Sequence, residues 1–131
     1  MYRRFLRWYG VFLLLAPQLL VLAFGDDGLT TGTAGVTYAL MVAAGVILVV
    51  AGSRDEVGLG GQTVRWNVLA GAGVVCVAGT VLLGGAADLL AGDRSRAALA
   101  YTVVASVGAL TLVVVGVDLA RGGRHFRLPD E

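Results

Sequence analysis

Four stretches of this sequence are long, apolar and almost free of charge, and no other feature narrows the possible folds as sharply. They cover about residues 8–24, 34–52, 68–91 and 97–120. A helix rises about 1.5 Å per residue, so about 20 apolar residues cross the roughly 30 Å hydrocarbon core of a bilayer. A soluble amphipathic helix would interleave polar residues every few positions, and these blocks do not. Composition points the same way: 57% of residues are hydrophobic and 15% charged, against about 25% charged in soluble domains. The first block is slightly short and reaches full length with Phe5 and Leu6 if Arg7 snorkels to the interface. The expected fold is an all-α membrane protein in one domain, residues 1–131. Its four transmembrane helices form an up-down-up-down bundle of two antiparallel hairpins, with the lipid bilayer as surroundings.

The breaks between blocks carry turn chemistry. Gly25, Asp26, Asp27 and Gly28 end the first helix, and residues 92–96 are short enough to force an antiparallel hairpin. Residues 53–65 read as the longest internal loop, and residues 121–131 as a polar tail. Twenty glycines against two prolines would mean flexibility in water. In transmembrane helices glycine instead permits close approach.

Orientation follows from arginine, the only basic residue type besides the single His125. Arg3, Arg4, Arg7, Arg54, Arg65, Arg121, Arg124 and Arg127 fall on one side of such a bundle, and Arg94 and Arg96 on the other. Basic residues accumulate on the cytoplasmic side, so both termini are expected there. The first outer connection holds Asp26 and Asp27 and no base, and Trp8, Tyr9 and Trp66 fall at the inner interface where amphipathic rings collect. The location expected is a cell membrane, or the envelope of a virus or vesicle. A competing reading treats Arg3, Arg4, Phe5 and Leu6, with the apolar run ending at Ala23, Phe24 and Gly25, as a cleavable export signal. The residue usual between such an arginine pair and Phe-Leu is missing, and Pro17 and Gln18 interrupt the run. A retained helix is therefore the expectation.

The chemistry-bearing residues do not assemble into a reaction centre. His125 sits in the tail without a second imidazole or thiol at ligand spacing, and Cys76 is alone. Glycines 58, 60 and 61 lack the Lys-Ser/Thr ending that reaches nucleotide phosphates. A net charge of +1 supplies no field for nucleic acid. No catalytic, cofactor or metal residue is expected.

The candidates are polar or close-packing residues inside the helices. Pro17 frees a carbonyl in helix 1, and Gln18 beside it can bond that defect or a neighbouring helix. Asp88 lies near the outer end of helix 3, within reach of Arg94 or Arg96, and Asp118 lies one turn before Arg121. Gly71, Ala78 and Gly85 recur every seven residues, as do Ala72, Gly79 and Ala86. They make a smooth face for helix 4, at Thr102, Ala109 and Gly116, or for a second protomer. Two functions compete. One is a non-catalytic component of a membrane assembly: a scaffold, envelope or accessory subunit within a homo-oligomer or larger complex. The other is a small, dimeric transporter or channel with Gln18, Tyr38, Thr102, Ser106 and Thr111 along its path.

Overall fold

The computed structural model describes residues 2–30 and 32–123; His125 and the rest of the tail from 124 onward lie outside them. Four long helices follow one another: α1 (Tyr2–Phe24), α2 (Gly32–Ser53), α3 (Trp66–Leu90) and α4 (Arg96–Ala120). Each is long and apolar enough to cross a membrane. α1 begins well before the apolar block that marks it, because Arg3, Arg4 and Arg7 favour helix as readily as the leucines that follow. A short 3-10 turn, Asp27–Thr30, links α1 to α2.

The segment read as a loop between α2 and α3 is instead a β-hairpin, with β1 (Glu56–Leu59) antiparallel to β2 (Gln62–Arg65). Gly60 and Gly61 form its two-residue turn with φ of 56° and 84°. Such a turn requires positive φ at both positions and matches the twist of paired strands. Glu56 faces Arg65 in the ladder, an opposite-charge pair that favours this register. The backbone N–H of Trp66 donates to the Asp55 carbonyl at 2.9 Å, so the hairpin base runs directly into α3.

Helix ends are set by local chemistry. The N–H of Ala98 donates to Ser95 Oγ at 3.2 Å, capping α4, while Asp93 holds Ser95 through its backbone N–H at 2.8 Å. α3 ends with Gly92 at φ 98°; the N–H of Asp93 reaches back to the Asp88 carbonyl at 2.9 Å and that of Gly92 to Leu89 at 3.1 Å. The same pair of bonds closes α4, from Gly123 to Asp118 and from Gly122 to Leu119. Both ends need a glycine in the left-handed region, where a Cβ is strained.

Packing is built on absent side chains. On α2, Gly45 lies against Gly10 and Leu14 of α1, and Gly52 against the backbone at Arg3 and Arg7. Gly73 of α3 receives Leu48 of α2, and Gly79 meets Leu40. On the α3–α4 seam Gly71 faces Gly116 and Ala120, while Gly85 faces Ala105 and Tyr101. In all three interfaces a later residue on one helix meets an earlier one on the other, so successive helices run antiparallel.

The extensive contacts join α1 to α2, α2 to α3 and α3 to α4. Among the described residues no comparable contact brings α4 back to α1, so the helices form an open series rather than a closed ring around one core. The most buried cluster is correspondingly off-centre: Leu13, Ala44 and Leu48, flanked by Leu6, Met41, Cys76 and Val77.

A Cβ at Gly71 would collide with the carbonyl oxygen of Gly116, whereas one at Gly108 would meet only a Val81 methyl at 3.9 Å. Gly71→Val is therefore expected to destabilise the chain by about 1–3 kcal/mol and Gly108→Ala to leave it unchanged or slightly more stable. Thermal unfolding of the two variants in one detergent checks the contrast.

Candidate functional site

Hydroxyl and amide groups inside apolar helices must find partners, and most here do so locally. Thr37 donates to the Thr33 carbonyl at 2.8 Å, Thr80 to Cys76 at 3.1 Å, Ser106 to Thr102 at 2.7 Å and Thr111 to Val107 at 2.9 Å. The hydroxyl of Thr102 donates to Ala98 at 2.8 Å and lies 3.2 Å from the Gly85 carbonyl across the α3–α4 seam. Ser106 and Thr111 sit on the exposed side of α4. α4 makes no extensive contact with α1 or α2, which carry Gln18 and Tyr38, among the described residues.

Gln18 has a partner on another helix. Its Nε2 donates to the hydroxyl oxygen of Tyr38 at 2.6 Å, tying α1 to α2. Pro17 beside it is buried and lines a cavity of ≈ 400 Å³. α1 contributes Pro17, Val21 and Phe24 to this cavity, α2 contributes Tyr38 and Met41, and α3 contributes Gly84. The cavity is an apolar groove over α2 between its two neighbours. It runs towards the α1–α2 connection, since Gly25 and Leu29 also line it.

The other candidates are dispersed. Gly71 and Gly85 lie on the α3–α4 seam, and Ala78, midway between them on α3, is buried. Asp88 is exposed at the end of α3, and no ion pair joins it to Arg94 or Arg96 among the described residues. Its carbonyl, not its carboxylate, terminates the helix. Asp118 is buried in α4 at 7% exposure and has an interaction of its own. Arg121, expected as its partner, forms the C-cap of α4 through its backbone N–H. Among the described residues no group of three or more His, Cys, Asp or Glu side chains is placed to hold a metal ion.

Three features escaped the sequence reading. Arg3 Nη1 pairs with Asp55 Oδ1 at 2.6 Å, fastening the start of α1 to the base of the hairpin; residues 52 apart along the chain leave no periodic signal. Asn67 Nδ2 donates to the Ala120 carbonyl at 3.2 Å, which helps close the end of α4. The glycines at 45 and 52 on α2 did leave a signal, their seven-residue spacing, like that on α3.

Residues 1–131 match a family described as "Family of unknown function (DUF7994)". Neither a curated protein nor a solved structure matches the chain.

If the Gln18–Tyr38 bond holds α1 on α2, Tyr38→Phe and Gln18→Leu should each cost about 0.6–2 kcal/mol, the range of hydrogen bonds between apolar helices. The double variant should cost less than the sum of the two. A double-mutant cycle by denaturant unfolding in detergent reads the coupling directly.

Proposed function

Because the chain belongs to the family of unknown function DUF7994, its task has to be read from its own geometry, and we propose an integral membrane protein that acts by association rather than by catalysis. It crosses the bilayer four times with both termini in the cytoplasm. There it serves as a scaffold, envelope or accessory subunit of a homo-oligomer or larger complex. The observation that carries this reading is the open series of helices. Among the described residues α4 makes its extensive contacts with α3 and keeps a long uncovered face that includes Tyr101, Val104, Val107, Leu110 and Val114. Between apolar helices, association depends on close van der Waals packing and shared hydrogen bonds, and this chain already uses glycine contacts to join each helix to the next.

Insertion is supported by length. Helices of 22 to 25 residues span about 33–38 Å at 1.5 Å per residue, enough for the roughly 30 Å core. Orientation is supported by the way charge segregates between the two ends of the helices. Arg3, Arg4, Arg7, Arg54, Arg65 and Arg121 gather at the end that holds the hairpin, while Asp26, Asp27 and Asp93 lie at the other with Arg94 and Arg96. Phe5 and Tyr9 stack with ring centres 5.9 Å apart at the arginine end, where aromatic rings favour the headgroup layer.

The transporter reading has one observation in its favour, the groove at Pro17 and Tyr38. Against it, Ser106 and Thr111 donate to carbonyls of their own helix, and the groove is lined by no residue of α4.

Two measurements test the proposal. In a Cys76→Ala background, Asp26→Cys should react with a membrane-impermeant maleimide on intact cells, and Gln62→Cys only after permeabilisation; the reverse pattern would invert the orientation. Native mass spectrometry of protein extracted from its own membranes should show an oligomer or a stoichiometric partner. A lone monomer at every detergent concentration would sink the association reading.

A further inference from the structure

The groove between α1, α2 and α3 has dimensions and ends that select an occupant. Along α2 its lining runs from Thr33 to Met41, about 12 Å at helical rise, and one leaflet of the hydrocarbon core is about 15 Å deep. It therefore extends about one leaflet inward from the helix ends. Its walls are aliphatic and aromatic, with Pro17 and Met41 at its inner end. Its mouth lies at the α1–α2 connection, where Asp26 and Asp27 are both exposed and sit between the lining residues Gly25 and Leu29. The connection carries no basic residue.

One wall is left open by a glycine. A Cβ placed at Gly84 would meet nothing within 4 Å, unlike the α3 glycines that seal against α2 and α4. The space beside Gly84 is thus not required by helix packing. A cavity of ≈ 400 Å³ falls within the range of small-molecule sites, which are mainly apolar with a few placed polar groups.

We propose that this groove binds one hydrocarbon chain of a membrane amphiphile whose headgroup is cationic, such as an amine or quaternary ammonium. The chain lies along Val21, Phe24 and Leu83, and the headgroup meets the exposed carboxylate of Asp26. This site rests on the four-span membrane reading but not on the association reading: a scaffold, an accessory subunit and a carrier could each hold such a ligand.

The test uses full-length protein in phosphatidylcholine vesicles and two spin-labelled amphiphiles with the same eighteen-carbon chain, about the length of common membrane lipids. One ends in trimethylammonium and the other in carboxylate. Flotation after carbonate washing first reports insertion; protein left in the soluble fraction would overturn the membrane reading and the site with it. In inserted wild-type protein the cationic probe should show the larger motionally restricted spectral component, with a preference of about five-fold, the size of one charge contact near a membrane surface. Gly84→Phe, which fills the groove from open space, should abolish that component while leaving thermal stability intact. Asp26→Asn should retain restriction of the chain but reduce the charge preference. Equal restriction of both probes, unchanged by Gly84→Phe, would be ordinary boundary lipid and would overturn the site. A preference for the carboxylate probe would overturn it equally.

Discussion

Close backbone approach at glycine is the interaction on which the rest of this structure depends. Between helices that are apolar all round, burial against a neighbour gains little over burial in hydrocarbon, so attraction must come from short-range contact. Dispersion falls off steeply with distance, and only a missing side chain lets one helix backbone touch another. Gly10 and Gly45 provide this between α1 and α2, Gly73 provides the pocket for Leu48 of α2, and Gly71 with Gly116 does so between α3 and α4. Leu48 is wholly buried because Gly73 leaves room for it. Other stabilising features, the Gln18–Tyr38 bond and the Arg3–Asp55 pair, act on helices that these contacts have already set side by side.

The same rule explains where the helices part. Where glycine faces glycine, as at Gly71 and Gly116, the seam is tight. Where α1 and α3 flank α2 beyond Pro17, the groove lining on those two helices is Leu20, Val21, Phe24, Leu83, Gly84 and Ala87. No glycine of α1 faces α3 there, and Gly84 has no opposing surface within 4 Å. The groove is thus the complement of the glycine seams.

Much of the helical architecture was legible because hydropathy and helical rise fix where apolar spans lie. The starts and ends were less so. Hydropathy marks the apolar part of α1, and length carried the expected helix back past Arg7 to Phe5; the turn that holds Arg3 and Arg4 lay beyond both arguments. The hairpin at residues 56–65 was written in Leu59-Gly60-Gly61-Gln62, but strands of four residues with three glycines nearby carry too little alternation to be distinguished from a loop. The seam at Gly71, Ala78 and Gly85 was readable from spacing. Its partner was narrowed to helix 4, at Thr102 and Gly116, or a second protomer, because a seven-residue stripe states that something packs closely without deciding which; in the chain Gly116 meets Gly71 and Thr102 meets Gly85. The Gln18–Tyr38 bond combines both cases: the need for a partner follows from an amide in an apolar helix, and the identity of that partner is a tertiary fact.

The open series has a consequence for how the chain can be built. Each helix makes its extensive contacts with the one immediately before it, and the first interface is complete once Asp55 has been joined to the chain to meet Arg3. α2 meets its extensive contacts on α1 as soon as it is made, and α4 meets its own on α3. Such a molecule can assemble in the order in which it emerges from the ribosome, one helix at a time, with no early helix waiting for a distant late one.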